Sequence, residues 1–589
     1  MVANMKKPFL IAAIICFSLF ALTLKYGWGA TYYVIDLPAT GCADNNAASA
    51  TVDGTDYNEV DEDCNGGGTS SYYSTIADVN AAAATTEPGD IISFNKGGIW
   101  REQLTTPESG LTYSSHGTGD KPIISGFDII SGNWSGPDGN GEYTDDSVDT
   151  EPLIVSVDGI LWTEGTVTSL GVTEWAWTSA DGGTLFLGAN PAALEVEAGT
   201  RNYGILSYHD NSTFSGLTLT GANGSTNAGI FLSSNPANIA INLCTVTKNA
   251  GYGVRLNQTG DTITISNNTI TSNGAAGIGG LGSDNLSITI NGNTISNNGW
   301  RTDLSVGLLS GIIMTLQSGS IYDNTISANG SGGTSGNEHG IYLLAASSGT
   351  GTVYDNSISG HTNGHGIRSR TSATLTNNFI SQNEHGVETG GNGDVNMVLT
   401  ITGNLIANCD NDGIVQESSD AGTVSMVILN NTIYKCGGVT EDAIKISEDI
   451  DTLTIKNNIL WATDTRRTIN AVEQTGTVSI NNNIHWRTDG DPDIYYNAAE
   501  RTWATWQGYG FDTVGINDNP DMTDPANNLF TLTSASPAIQ AGTDVSLTTD
   551  YNGAPVCGTP SIGAYDVCTD ITSGSATITL GTGGSATLR

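Results

Sequence analysis

Residues 263–299 read ITISNNTITSNGAAGIGGLGSDNLSITINGNTISNNG, and one short phrase occurs in them twice, as Asn268-Thr269-Ile270 and Asn293-Thr294-Ile295. Outward from there it returns as Asn324-Thr325-Ile326, Asn356-Ser357-Ile358, Asn378-Phe379-Ile380 and Asn404-Leu405-Ile406. It then continues as Asn431-Thr432-Ile433, Asn458-Ile459-Leu460 and Asn482-Asn483-Ile484, with Cys244-Thr245-Val246 as a degenerate first copy. Between copies lies a second phase, Gly plus a branched apolar residue. It appears at Gly229-Ile230, Gly253-Val254, Gly277-Ile278, Gly311-Ile312, Gly340-Ile341, Gly366-Ile367, Gly386-Val387 and Gly413-Ile414, with Ala443-Ile444 as a variant. The mean spacing of about 26 residues lies in the solenoid range. Two apolar marks in phase within each period mean short strands separated by turns, each coil stacking on the next. Leucine-rich repeats need a Leu lattice and propeller blades need four strands in a longer period, so neither fits. The recurring Asn is placed to hydrogen-bond to the same Asn one rung away, about 4.8 Å off, which makes the column structural.

Composition agrees. A chain with 75 Gly among 589 residues and only 20 Lys plus Arg suits tight turns between short strands better than long helices. Its hydrophobic content of 38% is enough for a core. The net charge of −40 disfavours nucleic acid and anionic membranes, and it disfavours polyanionic glycans unless cations or a local basic strip intervene.

Residues 1–30 read as a secretory signal: Lys6 and Lys7 form the charged start, Phe9 to Leu24 the apolar stretch, and Gly27 to Ala30 the cleavage region, with a cut after Gly29 or Ala30. An uncleaved anchor is the alternative. No other run is long and apolar enough to span a bilayer, so a secreted chain without membrane insertion is expected. In that compartment Cys42 with Cys64 and Cys557 with Cys568 are natural disulfide partners by proximity, and Cys244 is left over. Cys409 and Cys436 each stand three residues after the Ile of adjacent copies, so they share a column, either bridged or as stacked thiols. The expected divisions are 31–205 (a cap and first coils, with an inserted hairpin region around Trp175, Trp177 and Leu185-Phe186-Leu187), 206–486 (regular coils) and 487–589 (a closing module and tail). Thr75 to Thr86 is the best helical stretch, ended by Pro88-Gly89.

Several N-terminal segments carry a family resemblance: Thr31-Tyr32-Tyr33-Val34, Pro88-Gly89-Asp90-Ile91-Ile92-Ser93-Phe94, Trp100-Arg101-Glu102-Gln103-Leu104 and Gly117 through Gly126. Arg201-Asn202-Tyr203-Gly204-Ile205 also fits, and so do Ser536 through Gly542 and Ile562-Gly563-Ala564-Tyr565-Asp566 near the other end. With these the chain resembles secreted bacterial right-handed β-helix proteins of the pectate-lyase-like superfamily, in the branch of chondroitinase B-like and alginate-lyase-like proteins. The resemblance implies an all-β, single-stranded right-handed parallel β-helix with a short N-terminal capping helix. It also implies a substrate groove for extracellular polysaccharide on the outer face of one sheet.

If the Ile of the Gly-Ile phase points inward, the next residue points outward. That column reads Phe231, Arg255, Gly279, Ile313, Tyr342, Arg368, Glu388, Val415, Lys445, and two places further on lie Arg370 and Glu417. A lyase must neutralise a uronate, remove the C5 proton and assist the leaving oxygen. Arg368 and Arg370 suit the carboxylate, and Glu388, Asp410, Asp412 and Glu417 offer oxygen ligands for Ca²⁺. A glycoside hydrolase uses the same acids, since carboxylates one rung apart match retaining geometry, and Asn363-Gly364-His365-Gly366 resembles an element of polygalacturonase-like enzymes. A non-catalytic surface or matrix protein is the third reading, with Arg368–Glu388 as a cross-strand ion pair. His339, His365, His385 and Asp412 form a further column two places before the inward residue, either lining a turn or approaching a metal.

Overall fold

Successive copies of the repeat lie directly above one another. The structure, a computed structural model, describes residues 29–568 except for 37–41, 43–51, 66–67, 133, 180–181, 258–261, 281–286, 302, 304–308, 317, 332–337, 345–349, 391–395, 418–422, 438–441, 463–465 and 491–492. The expected signal segment up to Trp28 and the tail from Thr569 lie outside the described residues. The chain winds as a parallel β-helix with three long sheets of 16, 14 and 13 strands. The Gly-Ile phase builds the 14-stranded sheet and the Asn-x-Ile phase the 13-stranded one. The alternating stretch between them, such as Ser287–Asn291, builds the 16-stranded one. Ile270 pairs with Ile295, Ile295 with Ile326, and Ile278 with Ile312, so each apolar mark falls on its own copy in the next coil. These Ile side chains are 0% exposed, and each such burial contributes about 1.5–3 kcal/mol.

The turn from the 16- to the 13-stranded sheet takes one residue in the left-handed region and then a buried Asn. Asn267, Asp355, Asn377 and Asn457 hold the first position with φ between 54° and 57°, a conformation that Asn, Asp and Gly tolerate best. Behind them runs an unbroken amide ladder. Asn268, Asn293, Asn324, Asn356, Asn378, Asn404, Asn431 and Asn458 each donate Nδ2 to the Oδ1 of the next, at 2.9–3.0 Å. The ladder ends where Asn483 donates to Asp512 Oδ1 at 2.9 Å. One position departs from the sequence reading. The ladder residue of the last copy is Asn483, not Asn482, and Leu460 pairs with His485 rather than Ile484.

A second ladder runs through the turn from the 13- to the 14-stranded sheet. Asn249, Asn273 and Asn298 pass the chain of amide bonds to Asn329. Asn329 donates to His361 Nε2 at 3.2 Å, and His361 Nδ1 lies 2.8 Å from Asn383 Oδ1. Beyond Asn383 the column becomes the Cys409–Cys436 disulfide. His361 takes an Asn position because a neutral imidazole accepts on one nitrogen and donates on the other. Burial pushes its pKa from 6.5 down to about 4. The folded state therefore binds fewer protons than the unfolded chain, and stability is lost as the pH falls from 6.5 through 4. Replacing His361 by Asn is expected to leave stability at pH 7 nearly unchanged. It should also remove about 2–3 kcal/mol of the loss between pH 7 and 4.5, read from urea midpoints.

Both ends of the solenoid are closed. At the start, a helix at Ile76–Ala81 lays Ile76 and Val79 into the core, and its first N–H groups donate to Glu102 at 3.1 and 2.7 Å. At the far end Trp506, fully buried, donates to Asp512 Oδ2 at 3.0 Å. Met522, Phe530, Ala538, Ile562 and Ala564 cover the outer face of the 13-stranded sheet at Leu405, Tyr434, Ile459 and Ile484. Two four-stranded sheets within residues 127–199, antiparallel except where Thr163–Glu164 pairs in parallel with Glu174–Thr178, form an insert after the first coils, and the Trp175–Leu187 hairpin belongs to it. Disulfides join Cys42 to Cys64 and Cys557 to Cys568, and Cys244 is a buried free thiol.

Candidate active site

With one face of the solenoid taken by the closing module, the outer face of the 14-stranded sheet holds the clustered charge. Phe231, Arg255, Gly279, Ile313, Tyr342, Arg368, Glu388, Val415 and Lys445 pair rung by rung in that order. Each follows an inward Ile or Val, so strand alternation turns it out. Beside this column, where each coil enters the sheet, stand His339, His365, His385, Asp412, Asp442 and Arg467. Their backbones stack in the same register.

The two columns meet at three rungs. Arg368 Nη2 lies 2.9 Å from Glu388 Oε1, and His365 Nε2 contacts Glu388 Oε2. Glu388 is only 2% exposed. Burial pushes its carboxyl up, but the hydrogen bond and charge of His365, with Arg368 and His385, outweigh that and hold it below the usual range. The guanidinium carbons of Arg368 and Arg370 lie 5.5 and 5.8 Å from the centre of the Tyr342 ring, within cation–π reach. Among the described residues Arg370 forms no ion pair.

The imidazoles form a stack. His339 and His365 lie 4.6 Å apart, nearly parallel, and His365 and His385 lie 4.8 Å apart at 64°. His339 Nδ1 accepts the His365 backbone N–H at 3.1 Å. Burial, then the charges of His365 and Arg368, hold His339 well below its ordinary pKa, so it is neutral. His385 is more accessible, with its side chain 11% exposed; its Nδ1 accepts the Asp412 backbone N–H at 3.2 Å and lies 3.4 Å from Asp412 Oδ2. Asp412 Oδ2 also lies 3.6 Å from Lys445, and its Oδ1 accepts the Asp442 N–H at 2.7 Å. Burial raises Asp442 to about 6, with the neighbouring Asp412 adding to the shift.

Residues 190–309 and 310–485, together just over half of the chain, match the family model of the right handed beta helix region. The chain belongs to the right-handed β-helix family. No curated protein matches it. Among solved structures it is similar to XylC in complex with xylose, at TM-score 0.52 and 14% identity, covering 84% of this chain and 95% of that one. Pectate lyase Pel9A gives TM-score 0.38 at 12% identity, with coverage of 91% and 96%. The A-module of the Azotobacter vinelandii mannuronan C-5 epimerase AlgE4 gives 0.37 at 13%, with coverage of 79% and 95%. At such identities the likeness is one of fold.

On this right-handed β-helix, Arg368, Arg370, Glu388, His365 and His385 fall on adjacent rungs of one face. The sequence also points to Glu417 and Asp410, and both are exposed and take no part in the ion pairs of the cluster. Glu417 is exposed, follows Gln416 at the end of its strand, and forms no ion pair among the described residues. Asp410 is exposed in the turn before the strand. The expected calcium set of Glu388, Asp410 and Asp412 does not converge, because these carboxylates do not all come within 4.8 Å of one another. Glu388 is engaged by Arg368 and His365, and Asp412 by a backbone N–H, so the residues present do not fit a Ca²⁺ ion. Sequence reasoning missed Asp442 and Arg467, which continue the His column at the same offset before Ile444 and Ile469.

Proposed function

We propose that the protein binds an acidic polysaccharide along the outer face of the 14-stranded sheet and cleaves it by β-elimination at a uronic acid. The observation that carries this reading is Arg370, without an ion pair among the described residues, beside Arg368 in a chain of net charge −40. Two guanidinium groups two residues apart, Arg368 on the strand Ile367–Ser369 and Arg370 just past its end beside the same Tyr342 ring, match a planar carboxylate. Bound there, the carboxylate is neutralised, which acidifies the proton on the adjacent carbon. His385, partly open to solvent, takes that proton on Nε2 as general base in the tautomer that turns its Nδ1–H from the Asp412 backbone to Asp412 Oδ2, 3.4 Å away. The electron pair forms the C4–C5 double bond as the C4–O bond breaks, and the departing oxygen takes a proton from solvent water. Glu388 positions Arg368 and His365 from beneath. The expected setting is extracellular.

A second reading, glycoside hydrolysis, is favoured by one pair. Asp412 and Asp442 are neighbours on successive rungs, and the raised Asp442 keeps a proton into mildly acidic pH, as a general acid must. A panel of acidic and neutral polysaccharides separates the readings. The elimination reading expects ultraviolet-absorbing unsaturated ends from a uronan, unaffected by chelator. Reducing ends without that absorbance would favour hydrolysis. No product from any glycan by the folded protein would leave a non-catalytic binding protein.

A further inference from the structure

A second recessed surface lies away from the charged face, between the insert and the solenoid. It is a cleft of about 660 Å³, within the range of sites that hold small organic ligands. From the insert come Trp162 and Glu164, and from the solenoid Trp300, Arg301 and Asp303, with the buried Trp175 as part of the lining. The two clefted tryptophans are fixed differently. Trp300 donates its indole N–H to Ser272 O at 3.0 Å and packs against the small cluster of Phe127, Ile154 and Ala250. The Trp162 carbonyl accepts from Trp175 at 3.0 Å, whereas the indole N–H of Trp162 bonds to no group among the described residues. Both rings remain partly accessible.

Charge in the cleft selects against anions. The one cation among its described lining residues, Arg301, is 5% exposed and forks onto both oxygens of Asp303, with Nε 2.8 Å from Oδ1. Asp303 itself is 59% exposed, so a carboxylate held rigid from behind presents acceptor edges to the cleft. Glu164 faces the same space, exposed and with no ion pair among the described residues. Broad aromatic surface beside fixed acceptors, with no uncompensated positive charge, is the chemistry of a polyhydroxylated, uncharged ligand.

We infer that the cleft between the insert and the solenoid is a separate binding site for neutral sugar residues, held by Trp162 and Trp300 with Asp303 and Glu164 accepting their hydroxyls. This inference does not depend on elimination at the charged face, and its readout is binding of uncharged sugars alone, so either can fail without the other. The full chain titrated calorimetrically with neutral gluco-, xylo-, manno- and galacto-oligosaccharides should bind at least one series, with affinity insensitive to salt because no ion pair is involved. Trp162→Ala should weaken that binding by about tenfold or more, as truncating a central aromatic does elsewhere. Glu164→Ala, at an exposed side chain whose loss leaves the fold intact, should weaken it severalfold. Melting temperatures of both variants check folding. No binding of any neutral series by the intact protein, or binding unchanged in folded Trp162→Ala and Glu164→Ala, would overturn the assignment.

Discussion

Replacing His385 by Asn is expected to lower turnover of an acidic polysaccharide by about 10²–10⁴-fold, the range typical of a lost general base. Binding should change little. His385 is the imidazole of the stack with the carboxylate of Asp412 behind it and part of its ring open to solvent. His339 is fully buried and neutral, and His365 is engaged by Glu388. Arg370→Ala should show the opposite split, a raised KM with a smaller change in kcat, because it removes a contact made before and during reaction alike. Steady-state kinetics on the two variants test this directly. A loss confined to KM in both would make the face a binding surface only.

The second large effect is on stability. Asn378 sits in the middle of the amide ladder and is 0% exposed. Its Oδ1 accepts the N–H of Asn356 at 3.1 Å and the Asn356 Nδ2 at 2.9 Å, while its own Nδ2 donates to Asn404 Oδ1 at 3.0 Å and Val353 O at 2.9 Å. Asn378→Ala strands donors on one rung and a carbonyl on another, all shielded from bulk solvent. A loss of about 3–6 kcal/mol is expected from urea unfolding, since each unsatisfied buried group costs about 1–3 kcal/mol. Asn377→Gly, one residue earlier at φ 54° and partly exposed, should cost no more than about 1 kcal/mol. Equal losses at the two positions would mean that the ladder adds nothing beyond its turn.

The fold is legible in the sequence because a solenoid writes one coil many times. The Gly-Ile mark fixes which residue points inward, and one inward residue per rung sets the outer column from Phe231 to Lys445. The same logic brings Arg368 beside Glu388, since both follow the mark by one place. It stops working where side-chain direction is not set by a strand. Glu417 and Asp410 have the right offsets, yet one lies past the end of its strand and the other in a turn, and both face solvent. The second amide ladder was readable from the Asn three places after each Ile, but His361 and then Cys409 interrupt it with other residue types; the hydrogen bonds run through His361 to Asn383, where the disulfide takes over the column. The insert has no period, so neither its two antiparallel sheets nor the Trp162–Trp300 cleft can be placed from sequence. The shift of the last copy to Asn483 follows from Asp512, which arrives from 29 residues away to finish the ladder.

The most direct test of the account compares the affinity of one uronan before and after its carboxylates are reduced to alcohols, at fixed salt. If Arg368 and Arg370 recognise the carboxylate, reduction should cost at least about tenfold in affinity, and Arg370→Ala should erase most of the difference, since charged hydrogen bonds of this kind contribute about 1.5–3 kcal/mol. Equal affinity for the two polymers would contradict recognition of an acidic glycan at this face.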